Sequence, residues 1–184
     1  MESLNLSKGM TLELTKNVPS LRKMMIGLGW DTTCDLDSIA YLADANGKIK
    51  ETVYFGEKNH QGIFLNGDNR TGAGEGDDEK IFVTFNELPA WVSRIYICVN
   101  IYGAGGGLFG SKKDFSVVKG SFVRLVNADT NEEVCKYNLL ESGKGYNAFH
   151  FADLVKNSDG SWNFETIGQG MNGDVAKLRS QLTR

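Results

Sequence analysis

Hydrophobic and polar positions alternate along most of the chain. Met10, Leu12 and Leu14 form one such run, Ile81, Val83 and Phe85 a second, and Ile95, Ile97 and Val99 a third; Phe122 and Leu125, with Val123 and Val126 on the other side, form a fourth. Successive residues of a strand point to opposite faces, so a period of two predicts strands with one face buried. Turn-forming clusters separate these runs: Asp44-Ala45-Asn46-Gly47, Asn127-Ala128-Asp129-Thr130-Asn131 and Ser158-Asp159-Gly160. Each predicts a hairpin, with Asn46-Gly47 the clearest turn. Only the stretch from Gly173 to Arg184, with Val175, Leu178 and Leu182 on one side, reads as a helix. The pattern therefore predicts a mainly β protein, a β-sandwich with a short C-terminal helix.

Length and composition narrow this picture. A chain of 184 residues suits one domain, here taken as 1–184, and its 22 glycines with only two prolines suit tight turns between short strands. A net charge of −3 removes the broad basic face that non-specific nucleic-acid binding needs. Cys34, Cys98 and Cys135 are odd in number and widely spaced, so neither a disulfide framework nor a zinc ribbon is expected, and Cys98 falls in an apolar run that reads as core. The first residues lack a basic and apolar leader, and no run of about 18 apolar residues is present. These features predict a cytoplasmic protein without direct membrane insertion.

The charge is unevenly spread. From Asp68 to Glu79 five carboxylates face the single cation Arg70, and Gly67, Gly72, Gly74 and Gly76 are interspersed among them. Hard cations such as Ca2+ take six to eight oxygen ligands, and glycines let backbone carbonyls approach an ion. The segment is not an EF-hand. With Asp68 at the first position Glu79 falls at the twelfth, but Arg70, Gly72 and Ala73 occupy the third, fifth and sixth, and no flanking helices are predicted. A second acidic group, Asp31, Asp35 and Asp37, follows the apolar run from Met24 to Trp30, and two such loops at one end of a sandwich could converge on shared ions. The candidate ligands are Asp31, Asp35, Asp37, Asp68, Glu75, Asp77, Asp78 and Glu79, with Asn69 among them. Two calcium ions would need on the order of 12 to 16 oxygen contacts, so carbonyls, bridging carboxylates and water would complete the set. Mg2+, which prefers small octahedral sites, suits the segment less. Spacing alone leaves this reading level with that of a solvated acidic turn, because aspartate and glycine are also ordinary turn residues.

A resemblance to a known family shifts that balance. Leu6-Ser7-Lys8-Gly9, Gly27-Leu28-Gly29-Trp30-Asp31, Asp35-Leu36-Asp37 and above all Gly67-Asp68-Asn69-Arg70-Thr71-Gly72, continuing to Gly74-Glu75-Gly76-Asp77-Asp78-Glu79, resemble the TerD family of tellurium-resistance and stress-response proteins. Phe122-Val123-Arg124-Leu125-Val126-Asn127 and Ile167-Gly168-Gln169-Gly170 extend the resemblance over nearly the whole chain. It implies a β-sandwich that binds two calcium ions through its acidic loops, works with protein partners in a stress response, and has no established catalytic activity. Related eukaryotic proteins bind cyclic AMP, which makes a small-ligand module the alternative. One position departs from the pattern: Ile101-Tyr102 is followed by Gly103, where many members carry an aspartate.

Other candidates carry less. Gly105-Gly106-Gly107-Leu108-Phe109-Gly110 satisfies GxGxxG, but Ser111-Lys112 inverts the Walker order and no helix is predicted after it. His60 and His150 lie in no motif that pairs them with a nucleophile, and His150 reads as a partly buried strand residue. No enzyme is expected. Trp30, Trp91 and Trp162 read as core or rim.

Overall fold

A computed structural model describes residues 3–31, 34–67, 76–104, 113–139 and 143–183. In chain order the elements are β1 (Leu4–Leu6), β2 (Thr11–Glu13), α1 (Leu14–Asn17), β3 (Lys23–Asp31), β4 (Leu36–Ala43), β5 (Ile49–Val53), β6 (Asn59–His60), β7 (Ile63–Asn66) and β8 (Glu79–Thr84). There follow β9 (Arg94–Ile101), β10 (Lys119–Asn127), β11 (Glu132–Asn138), β12 (Ala148–Lys156), β13 (Trp162–Met171) and α2 (Val175–Leu182). The strands form two sheets, ordered β1-β11-β10-β3-β8-β7-β6 and β2-β13-β12-β9-β4-β5. The predicted sandwich and C-terminal helix are therefore present. All three turn clusters join antiparallel neighbours: β4 to β5, β10 to β11 and β12 to β13.

The alternation read in the sequence for β8 and β9 decides which of their residues meet between the sheets, and every second residue of the apolar run in β3 joins them. In β10 it is Val123 and Leu125 that share the core face, not Phe122 with Leu125, because positions three apart on a strand point to opposite faces. Met24, Ile26, Leu28 and Trp30 of β3, Ile81 and Val83 of β8, and Ile95, Ile97, Val99 and Ile101 of β9 all enter one buried cluster. Residues of opposite parity in the second sheet, among them Ile39, Tyr41, Tyr96 and Cys98, form a smaller cluster under α2, which contributes Leu178. The second sheet is thus buried on both faces where the helix covers it, and β4 is buried at every position. Two boundaries differ from the expectation. Leu14, read as the end of a strand, opens the one-turn helix α1; its buried side chain still enters the main core, so the apolar period survived the change of backbone. The C-terminal helix is shorter than Gly173 to Arg184, because Asp174 caps it by accepting from the Lys177 amide. All three tryptophans sit as expected, Trp30 and Trp162 buried and Trp91 packed on the core. His150, expected to be partly buried, is 7% exposed, and Cys98 is fully buried. No helix among the described residues is long and apolar enough to cross a membrane.

Two mid-strand glycines admit close neighbours. A Cβ on Gly29 would collide with the Phe122 ring and the Gly76 carbonyl, and one on Gly27 would collide with the Asp77 carboxylate. The Gly-Leu-Gly run of β3 therefore leaves a slot in the outer face of the first sheet, and β10 and the segment entering β8 fill it. Gly29→Ala is expected to destabilise the protein by about 2 kcal/mol through overpacking, lowering Tm by about 4–8 °C in thermal unfolding followed by circular dichroism.

Candidate functional site

The acidic segments meet at the end of the sandwich where β3 finishes and β8 begins. The pairing of Leu28 with Glu79 brings the two strand ends together, and the Asp78 amide donates to the Leu28 carbonyl at 2.9 Å. Asp78 then turns its carboxylate to the neighbouring chain, where Oδ2 accepts from the Trp30 amide at 2.9 Å. Glu79, 1% exposed, crosses to the other sheet: its Oε2 accepts from the Ser38 amide at 2.5 Å. The β4–β5 ladder starts at Ala40, so the Ser38 amide lies beyond its end and the carboxylate serves as its partner.

Asp77 points elsewhere. Its side chain is fully buried in the slot over Gly27, and Arg124 of β10 grips both oxygens, Nε to Oδ1 at 2.6 Å and Nη2 to Oδ2 at 2.8 Å. The third arm of the guanidinium, Nη1, reaches Glu133 at 3.0 Å, and Glu133 in turn accepts from the Ser3 hydroxyl at 2.5 Å. A bidentate fork is the strong form of such a pair. The Asp77 hydrogen bond raises the Arg124 pKa above its ordinary value, against the burial that lowers it. Burial pulls the Glu133 carboxyl upward, but the Ser3 hydroxyl and Arg124 outweigh it and hold the group below its ordinary range.

The remaining candidates are spread over three directions. Asp31 ends β3, exposed, with Gly120 beside it. Asp35 is half-buried, and its backbone carbonyl accepts from the Tyr102 amide at 2.8 Å. Asp37 is 4% exposed and shares parity with Ile39 and Tyr41, which places it on the outer face of the second sheet opposite Asn100 of β9. Asp68, Asn69 and Glu75 lie outside the described residues, as does the Gly105 to Lys112 run. Among the described residues no three histidine, cysteine or acidic side chains come together as a metal-holding group. The two acidic segments therefore meet through Trp30, Asp78, Ser38 and Glu79, while Asp77 is committed to Arg124 and Asp37 faces away.

Two features were missed in the sequence. Arg124 lies inside the Phe122 to Asn127 strand as an ordinary outward residue, and only Gly27, a glycine in mid-strand, signalled that something must approach there. On the outer face of the second sheet, Asp153 (1% exposed) joins Arg94 at 2.6 Å and His150 at 2.5 Å. A bulge in β12 between His150 and Ala152 brings these two residues to one face. The three thiols are free and buried. Burial, then the charge of Asp153, raises the Cys98 pKa; burial raises that of Cys135 to about 12.

Comparison with known proteins places this geometry in a family. The TerD domain model matches residues 2–182. The chain is 34% identical over 190 residues to the tellurium resistance protein TerD of Serratia marcescens, with 97% of this chain and 96% of that protein covered. It is 36% identical over 188 residues to general stress protein 16U of Bacillus subtilis (strain 168), with 96% and 95% covered. A crystal structure of a homologue of telluride resistance protein (TerD) from Streptomyces coelicolor A3(2) shares the fold, with a TM-score of 0.72 over 89% of this chain and 98% of that one at 21% identity. A match that runs through both sheets, the glycine slot of β3 and the acidic run into β8 leaves one conclusion: the chain belongs to the TerD family, whose members include tellurium-resistance and general stress proteins.

Proposed function

We propose that this protein is a calcium-binding member of the stress-response branch of its family, taking about two Ca2+ ions per chain through the acidic end of the sandwich. The observation that carries the reading is the pair of hydrogen bonds, Trp30 amide to Asp78 and Ser38 amide to Glu79, that hold the two acidic segments against each other. The donor set is all oxygen, the chemistry of a hard cation. Asp31 and Asp78 would hold the metal together with Asp68, Asn69 and Glu75 of the glycine-rich run, and Ca2+ would supply the positive charge that lets these groups approach one another. Asp77 does not fit as a ligand, because both its oxygens are engaged by Arg124; its part is to anchor the end of the loop. Asp37 does not fit that cluster either, since it faces the opposite side of the second sheet.

In this proposal the protein acts by binding rather than by turnover, presenting a different surface to protein partners when the loop is filled. The buried, free thiols suit a reducing compartment such as the cytoplasm and make direct thiol reduction of tellurite a poor fit. A second reading, a small-ligand module, is favoured by a cleft beside Asp37 and Asn100. Its lining carries both signs of charge, Lys113 and Lys177 beside Asp114 and Asp174, and a small ligand such as cyclic AMP is the candidate occupant.

Calorimetric titration of EGTA-stripped protein should give saturable Ca2+ binding near two ions per chain, with Mg2+ much weaker and with Asp31→Asn/Asp68→Asn losing at least one site. An unchanged titration in that variant, or no heat at millimolar Ca2+, would leave the acidic run a solvated turn. The anchoring role of Arg124 is tested by stability. Arg124→Met strands the buried Asp77 charge and should cost about 3 kcal/mol, a Tm loss of about 6–12 °C, whereas Arg124→Lys, which keeps the charge but not the fork, should lose less. Equal losses for the two would refute the role of the bidentate geometry.

A further inference from the structure

The guanidinium of Arg124 ties the acidic segment to a second part of the molecule, the N-terminal edge of the first sheet. β1 is the edge strand there, three residues long and parallel to β11. Its hold is slight: Leu4 is 44% exposed, and Leu6 is only half-buried against the core. Next in the chain, Ser7 is pinned to the other sheet, because its carbonyl accepts from the Thr166 hydroxyl at 2.6 Å and from the Met10 amide at 3.2 Å. The stretch before Ser7 can therefore leave β11 without disturbing β2. A segment with so few buried apolar contacts belongs to the low end of local stability.

Four side chains join this strand to the acidic segment. The Ser3 hydroxyl donates to Glu133 Oε1 at 2.5 Å, Arg124 Nη1 donates to Glu133 Oε2 at 3.0 Å, and Nε and Nη2 of the same arginine hold Asp77. Glu133 reaches Arg124 only through a bulge. In the β10–β11 register Leu125 pairs with Cys135 and Val126 with Glu133, so Val134 is an extra residue, and both Val134 and Cys135 enter the core. Uninterrupted alternation would point Glu133 inward with Cys135; the bulge turns it out to the face of Arg124. The guanidinium is planar with its donors at fixed angles, so Asp77 and Glu133 hold their places relative to each other while both stay bonded. The fork is partly buried, where salt screens such contacts less.

We propose that Asp77, Arg124, Glu133 and Ser3 form a relay that couples the glycine-rich run to the docking of β1. With Asp77 seated, Arg124 presents Glu133 to Ser3 and β1 stays paired. With Asp77 released, the guanidinium turns, Glu133 follows it, and β1 detaches more often. The metal-linked half of this relay rests on the calcium reading, since an ion that orders the run keeps Asp77 seated. Coupling between two sites is reciprocal, so whatever calcium adds to the docking of β1, the docking of β1 adds to calcium affinity.

The test is native-state hydrogen exchange of the full chain, followed by NMR at the β1–β11 pair and, as a reference in the other sheet, at the β9–β12 pair. Asp77→Asn should speed exchange at β1–β11 at least about threefold more than at β9–β12. Ser3→Ala, at an exposed position, should speed the same amides by a similar factor, and the double variant should be no faster than the faster single one. Equal acceleration in both pairs would mean global destabilisation alone, and additive effects would mean two independent contacts; either result overturns the relay. Calcium should slow exchange at β1–β11 about threefold, and Ser3→Ala should weaken calorimetric Ca2+ affinity by a similar factor. Calcium affinity that Ser3→Ala leaves unchanged would overturn the metal-linked half. Absence of calcium binding would remove the proposed function itself, and the exchange rates of Asp77→Asn and the double variant would then decide the relay alone.

Discussion

A single buried carboxylate governs the acidic end of this sandwich. Glu79 belongs to one sheet and satisfies a backbone amide of the other, and a charge buried to that degree is tolerated only when hydrogen bonds compensate it. The bond fixes where β4 starts relative to β8. Strand alternation does the rest: Leu36 and Ser38 face one way, Asp37 the other, and one residue of slip would exchange them. The separation of Asp37 from the loop acids is thus a consequence of register.

The second constraint is the pairing of Asp77 with Arg124, which works through absence as much as presence. Two glycines of β3 give up side chains so that a carboxylate and an aromatic ring can press onto the strand. The carboxylate is then neutralised by a fork from the adjacent strand, itself steadied by Glu133. An acidic run that would otherwise repel itself is in this way pinned at its last residues, Asp77 to Glu79.

The sheets, the turns and the C-terminal helix were legible in the sequence because each rests on local periodicity or turn chemistry, and the alternation in β8 and β9 maps directly onto the buried cluster. The family was legible for a different reason, the length of the acidic glycine-rich motif. Less legible was how the acids divide. Asp37, Asp77 and Glu79 look equivalent as letters, yet one lines a cleft, one is locked to an arginine and one bridges two sheets, because strand parity and long-range pairing, absent from local spacing, assign them. The same limit applies to His150 and Asp153. Uninterrupted alternation puts positions three apart on opposite faces, and the β12 bulge that brings them together has no clear mark in the sequence.

One edge of each sheet is made in the same manner. β1 lies parallel to β11, with Leu4 opposite Cys135, and β2 lies antiparallel to β13, with Leu12 opposite Phe164. Both strands come from the first fifteen residues, and both wait for partners more than a hundred positions downstream. On a ribosome the early segment therefore stays unpaired until most of the chain has emerged, and sheet completion is a late event dominated by long loop closure rather than by local hairpins.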